Sequence, residues 1–236
     1  MTDIDYGAFE ALTFDCYGTL IDWETGIAAG LRRGLGRAAV GFGDDELLAR
    51  YGRHEAELEA GPYRRYREIL GESLRRVGAE LGTDVAAADV AAFGGSVADW
   101  PAFPDSADSL RRLQRRFRLG VITNCDDDLF AASNQRLGIT FDWVVTAEQA
   151  RGYKPRIANF ELAFERLGLP RDRILHVAQS LYHDHVPARQ LGLTSVWIDR
   201  RHDRPGAGAT PVAEPSAQPS ARFPDLRSFA EAAAPD

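Results

Sequence analysis

The chain has 236 residues, 44% of them hydrophobic and 27% charged, enough for a sizeable buried core in one large domain or a domain with an insertion. Its formal net charge of −7 argues against a nucleic-acid partner. No apolar run approaches the ~20 residues that span a bilayer, and the opening MTDIDYGAFE lacks the apolar stretch of a signal peptide, so a cytoplasmic protein with no membrane partner is expected. Two cysteines, Cys16 and Cys125, make no disulfide framework and read as reduced thiols. Lys154 is the only lysine in a chain that otherwise uses arginine, which suggests a role for a compact ammonium.

Residues Phe9 to Thr13 lead into a first strand, with Asp15 at its tip and a turn at Tyr17-Gly18-Thr19. Residues 22–26 read as a linker. From Ile27 to Phe93 the pattern is helical. Ile27–Val40 is a glycine-interrupted helix. A clearer one begins at a capping Asp44, buries Leu47, Leu48, Tyr51 and Leu58, and stops at Gly61-Pro62. Tyr63–Leu81 is amphipathic, and residues 84–93 form a short helix. After Trp100-Pro101 the pattern changes to strand and helix in alternation. Strands are predicted at 118–123, 141–146, 174–178 and 194–198, and helices at 106–115, 126–137, 155–167 and 184–191. Such alternation implies an α/β fold with a doubly wound parallel sheet. Residues 1–22 and 100–236 then form the core, and 23–99 an all-helical cap over the sheet's C-terminal edge. Arg200–Arg222 reads as a Pro- and Gly-rich loop, closed by a helix over 225–233.

In such sheets the loops at the carboxyl ends of the strands share one crevice. That rule brings together Asp15, the pair Thr123-Asn124, Lys154 and Asp184. An adjacent lysine holds a carboxylate ionised, so Lys154 is expected to keep Asp15 charged and oriented. Thr123 and Asn124 are expected to donate hydrogen bonds to a bound anion.

The order Asp15-x-Tyr-Gly-Thr, Thr123-Asn124, Lys154-Pro and Asp184 resembles the haloacid dehalogenase superfamily over nearly the whole chain, with 23–99 matching the family's inserted cap. The resemblance implies that Asp15 is a nucleophile. Phosphatases of that superfamily place a second Asp two residues after the nucleophile; here Tyr17 stands there. A halide leaves without a proton, so the segment resembles the 2-haloacid dehalogenase branch, which uses no metal or other cofactor and forms an aspartyl ester on a small carboxylate. Asp184, with Lys154, then positions the hydrolytic water, and the resemblance allows a homodimer. Catalytic roles fall on Asp15, Lys154, Asp184 and Thr123. Substrate contacts fall on Tyr17, Thr19, Asn124, the cap arginines Arg53 and Arg64, and His183, a candidate second base. The chain departs from the branch at Leu181, Gln179 and Phe160. Those departures leave open a Mg²⁺-dependent phosphatase, a hydrolase of another activated small carboxylate, and a non-catalytic binding member.

Overall fold

The computed structural model describes residues 4–204, 208–211 and 217–235. The strands are β1 (Ala11–Phe14), β2 (Arg118–Thr123), β3 (Trp143–Thr146), β4 (Ile174–Ala178), β5 (Thr194–Ile198) and β6 (Ala221–Phe223). They form one parallel sheet in the order β3-β2-β1-β4-β5-β6. The central strands are buried almost throughout, as expected when helices cover both faces. Strand alternation splits them between two cores: Leu12, Phe14, Val121 and Val177 enter one, while Ala11, Ile122 and Ile174 enter the other with Phe160 and Ala163.

Helices α1 (Trp23–Leu35), α2 (Asp44–Ala60), α3 (Tyr66–Glu80) and α4 (Ala87–Gly94) all lie between β1 and β2 in the chain. Their buried Leu31, Leu47, Tyr51, Leu70, Leu74 and Phe93 join the first core rather than a separate one. The glycines of α1 are seats for neighbours, not breaks. A Cβ at Gly26, Gly30 or Gly34 would come within 2.2, 2.4 or 2.7 Å of Trp100, Phe93 or Leu74. Spaced four apart, they lie on one helix face and let those side chains approach the backbone.

Some boundaries differ from expectation. The linker expected at 22–26 is the start of α1, because Asp22 accepts hydrogen bonds from Thr25 N at 3.2 Å and Thr25 Oγ1 at 2.7 Å. Asp44 lies inside α2; Gly43 caps it, and Asp44 pairs with Arg32 instead. α3 starts three residues late, where a residue distant in sequence caps it: Asp126 accepts from Tyr66 N at 2.8 Å and Arg67 N at 3.2 Å. The remaining helices are α5 (Ser106–Gln114), α6 (Asp127–Leu137), α7 (Ala147–Ala150), α8 (Ala158–Leu167), α9 (Val186–Gln190) and α10 (Leu226–Ala233). A π-helical turn, Leu181–His185, precedes α9. Of the loop expected over 200–222, residues 205–207 and 212–216 lie outside the described residues, and its end is strand β6. Among the described residues no helix is long and apolar enough to cross a membrane.

Asp105 ties three parts together. It accepts two hydrogen bonds from Arg200 Nη1, at 2.9 and 3.0 Å, and caps α10 through Leu226 N at 2.8 Å. Arg200 in turn donates from Nη2 to the carbonyl of Thr19 at 2.9 Å, bracing the turn behind Asp15. Removing one partner of a buried pair strands the other charge, which costs about 3–5 kcal/mol. Asp105→Ala is therefore expected to lower unfolding stability by about 3 kcal/mol; a urea midpoint unchanged from wild type would refute this role.

Candidate active site

The tips of β1, β2 and β4 meet at one crevice, and the lysine loop after α7 closes it. Asp15 directly follows β1. Its Oδ2 accepts from Thr19 Oγ1 at 2.7 Å, and Thr19 Oγ1 accepts from Gln179 N at 2.9 Å. Lys154, 1% exposed, donates from Nζ to Asp15 Oδ1 at 2.9 Å, Asp184 Oδ1 at 2.7 Å and the Ile122 carbonyl at 2.9 Å. All three ammonium hydrogens are thus used. The lysine backbone is held by Asn124, whose Oδ1 accepts from Lys154 N at 2.7 Å while its Nδ2 donates to Lys154 O at 3.1 Å. Asp184 Oδ1 also meets His176 Nε2 at 3.0 Å, and His176 Nδ1 meets Thr13 Oγ1 at 2.8 Å. Asp184 Oδ2 is buried and has no partner among the described residues.

Electrostatics divide the two aspartates. Burial opposes charge on Asp184, but Lys154 and His176 outweigh it and hold the group below the usual carboxylate range. Asp15 moves the other way. Burial pushes it above 3.8, and the negative Asp184 adds to that; Lys154 and Thr19 only partly offset the two. Lys154 thus orients Asp15 and favours its charged form, as expected of an adjacent ammonium, while burial and Asp184 oppose it. Burial also pushes the Cys16 thiol well up, which leaves it an inert neighbour.

Asp15, Tyr17, Asn124, Lys154, His183 and Asp184 line one cleft with a free volume of about 30 Å³, room for only a few waters. Thr19 stands behind Asp15 and acts on it rather than on the cleft. Tyr17 offers its ring: the hydroxyl bonds Ser133 Oγ at 3.0 Å and the ring packs edge-on against Trp100. His183 is partly buried, with Nδ1 3.0 Å from Ser180 Oγ. Burial lowers its pKa to about 4, so it is neutral near pH 7.

Three expected residues are elsewhere. Thr123 is fully buried within β2 and its hydroxyl has no partner, so it does not reach the cleft to donate. Arg53 is exposed and pairs with Glu80 at 2.6 Å. Arg64 is also exposed to solvent, 3.7 Å from Glu68. Among the described residues no arginine lines the cleft. Asn124 spends its amide mainly on Lys154 rather than on an anion.

The cleft's other side is a wall that sequence reasoning missed. Glu55 and Glu59 of α2 line it, with Trp23, Tyr66, Gln179 and Thr210. Glu55 Oε1 accepts from Tyr51 at 2.6 Å and Tyr66 at 2.8 Å. Burial raises Glu55 to about 7 and Glu59 well above 4.5. The signal was present: helical spacing from Leu48 and Tyr51 places 55 and 59 on the same buried face as Leu58. With Lys154 counted, four ionised carboxyls would sum to −3, an excess of negative charge that a proton or a bound cation relieves. The donor set does not suit a divalent cation. The Lys154 ammonium already sits between Asp15 and Asp184, and the described residues hold no group of three or more His, Cys, Asp or Glu side chains disposed to bind a metal ion.

Comparison with known proteins agrees with this geometry. The family model of haloacid dehalogenase-like hydrolases matches residues 9–190. The chain is 26% identical over 220 residues to (S)-2-haloacid dehalogenase H-109 of Pseudomonas putida, covering 87% of this chain and 92% of that one. It is 27% identical over 205 residues to the (S)-2-haloacid dehalogenase of Pseudomonas sp. strain YL, covering 84% of each. Among solved structures, L-2-haloacid dehalogenase RSc1362 superposes with a TM-score of 0.80 at 24% identity, covering 95% of this chain and 98% of that one. An α/β core that presents Asp15, Lys154 and Asp184 in this arrangement, matched over most of its length, places the chain in the haloacid dehalogenase-like hydrolase family.

Proposed function

We propose that the chain hydrolyses the carbon–halogen bond of small 2-haloacids without a metal, through an ester on Asp15. The observation that carries this is one buried ammonium shared by two carboxylates of opposite character, Asp15 and Asp184. The names of the dehalogenase relatives support the substrate class. One Asp15 oxygen attacks C2 of the acid, the C2–halogen bond breaks, and halide departs with the electron pair. Lys154 and Thr19 fix the nucleophile's position so that attack is in line. Tyr17 stands where a phosphatase would hold an acid, and halide needs none.

The ester must then be opened by water. Asp184 lines the cleft, its buried Oδ2 has no hydrogen bond among the described residues, and the carboxylate is held ionised, which suits it to receive a water proton. Water attacks the Asp15 Cγ as Asp184 takes its proton, the Cγ–O bond to the substrate breaks, the departing alkoxide takes that proton back to leave as a 2-hydroxy acid, and the Asp15 carboxyl loses its own proton to solvent. His183, neutral near pH 7, is a second acceptor within the same cleft.

Wild type is expected to release halide from (S)-2-chloropropanoate in excess chelator, and Asp15→Asn to lose about 10⁴-fold or more in kcat, the scale of losing a nucleophile. Activity that vanishes with chelator and returns with Mg²⁺ on phosphate esters would replace this reading with the phosphatase one. A second expectation follows from the raised Asp15. Attack requires the carboxylate, so the acid limb of kcat/KM lies above 3.8. Thr19 favours the charged form, so Thr19→Val should move that limb up by about one pH unit, a lost hydrogen bond to a charged group being worth roughly 1.5–3 kcal/mol. An acid limb that stays in place would deny Thr19 this role.

A further inference from the structure

Glu55 and Glu59 are 4% and 7% exposed, yet among the described residues neither forms an ion pair with a lysine or arginine, although Lys154 and Arg156 lie near enough to act on Glu59. Glu55 uses one oxygen for two tyrosine hydroxyls, and its Oε2 makes no hydrogen bond among the described residues. Glu59 Oε2 meets only the Asn124 amide at 3.4 Å and His183 Nε2 at 3.8 Å. A third acceptor, the buried Asp184 Oδ2, also lacks a partner in the same cleft. Such groups cost free energy when left unmatched, which is what lifts both glutamates from their ordinary pKa. The carboxyls lining the cleft thus outnumber its one ammonium among the described residues, Lys154, whose three hydrogens are already used.

A 2-haloacid brings a carboxylate, a halogen and a third substituent to C2. When the glutamates are ionised they repel the carboxylate, which turns toward the Lys154 side, the one cationic group lining the cleft among the described residues. The departing halide is an anion too and is turned away by the same repulsion. What faces the wall is the C2 substituent. An alkyl group there would leave both carboxyls unmatched, whereas an ammonium or hydroxyl would answer them. We propose that the Glu55–Glu59 wall makes this a hydrolase of 2-haloacids whose C2 side chain ends in a hydrogen-bond donor, an ammonium above all. The inference rests on the carbon–halogen reading above and names the acids which that reading leaves open.

The test compares halide release from 3-amino-2-chloropropanoate, 3-hydroxy-2-chloropropanoate and 2-chloropropanoate, with Asp15→Asn as the blank. Wild type is expected to favour the first two by at least tenfold in kcat/KM. Glu59→Gln should erase most of the ammonium's advantage and spare the hydroxyl's, and Glu59→Leu should erase both. Equal or faster turnover of 2-chloropropanoate by wild type would overturn the inference and leave the carbon–halogen reading standing. Halide from none of the acids would sink that reading. Calorimetry on wild type then decides the wall separately, with two 2-hydroxy acids as probes, isoserine and lactate. Isoserine bound at least tenfold more tightly than lactate upholds a donor-selecting wall, and equal binding overturns it.

Discussion

The structure depends on one ammonium with no hydrogen to spare. Lys154 Nζ reaches acceptors from three parts of the chain: Asp15 after β1, the Ile122 carbonyl in β2, and Asp184 after β4. A compact point charge suits three converging oxygens; a planar guanidinium would need them in a fork. That fit gives a physical reason for the only lysine in an arginine-rich chain. A buried charge is tolerated only when paired and hydrogen-bonded, so the interaction that arms the nucleophile also lets the sheet's C-terminal edge close. Fold and chemistry are hard to vary independently here, because both use the same three bonds.

The arginines are spent on a different problem. The helical segment must be held over the crevice, and much of that holding is polar. Asp126 caps α3 and pairs with Arg67, while Arg65 and Arg67 reach Asp128. On the other flank Arg201 reaches Glu24 at 2.5 Å and Asp45 at 3.0 Å. Arg156 donates to the carbonyls of Ala60 and Gly61, and Tyr153 to that of Arg64. Each of these arginines binds across the seam, and among the described residues none lines the cleft.

What was legible in the sequence follows from what is local. β2, β4 and β5 are near-continuous apolar runs with clear ends, so their limits could be read directly. Asp15, Lys154 and Asp184 were legible as strand-tip residues because topology alone brings such tips together. β6 was not: Ala221-Arg222-Phe223 has no strand pattern, and its state comes from pairing with β5. Thr123 was misplaced because nearness to a strand tip does not say which face a side chain takes. Glu55 and Glu59 were missed because acids on a charged helix ordinarily face water. Only the partners Tyr51 and Tyr66, one of them on another helix, show that this face is inside.

The departures from the dehalogenase pattern now have physical places. Phe160 is fully buried and packs edge-on against the His176 ring at 5.2 Å, so it supports the histidine that holds Asp184 rather than facing substrate. Gln179 uses its backbone N–H to fix Thr19, and thereby Asp15. Leu181 opens the π-helical turn that carries Asp184, where Ser180 accepts from His183 N at 3.0 Å. Phe160 and Leu181 therefore sit behind Asp15 and Asp184, while Gln179 both braces Thr19 and lines the cleft. The glutamate wall is different in kind, since it brings carboxyls to the cleft and changes what the cleft can hold. On the proposed reading, reaction and selection are divided between the two parts of the chain: the sheet's edge offers Asp15 as nucleophile and Asp184 as water-activating base, and the helical segment sets, by charge, which molecule lies between them.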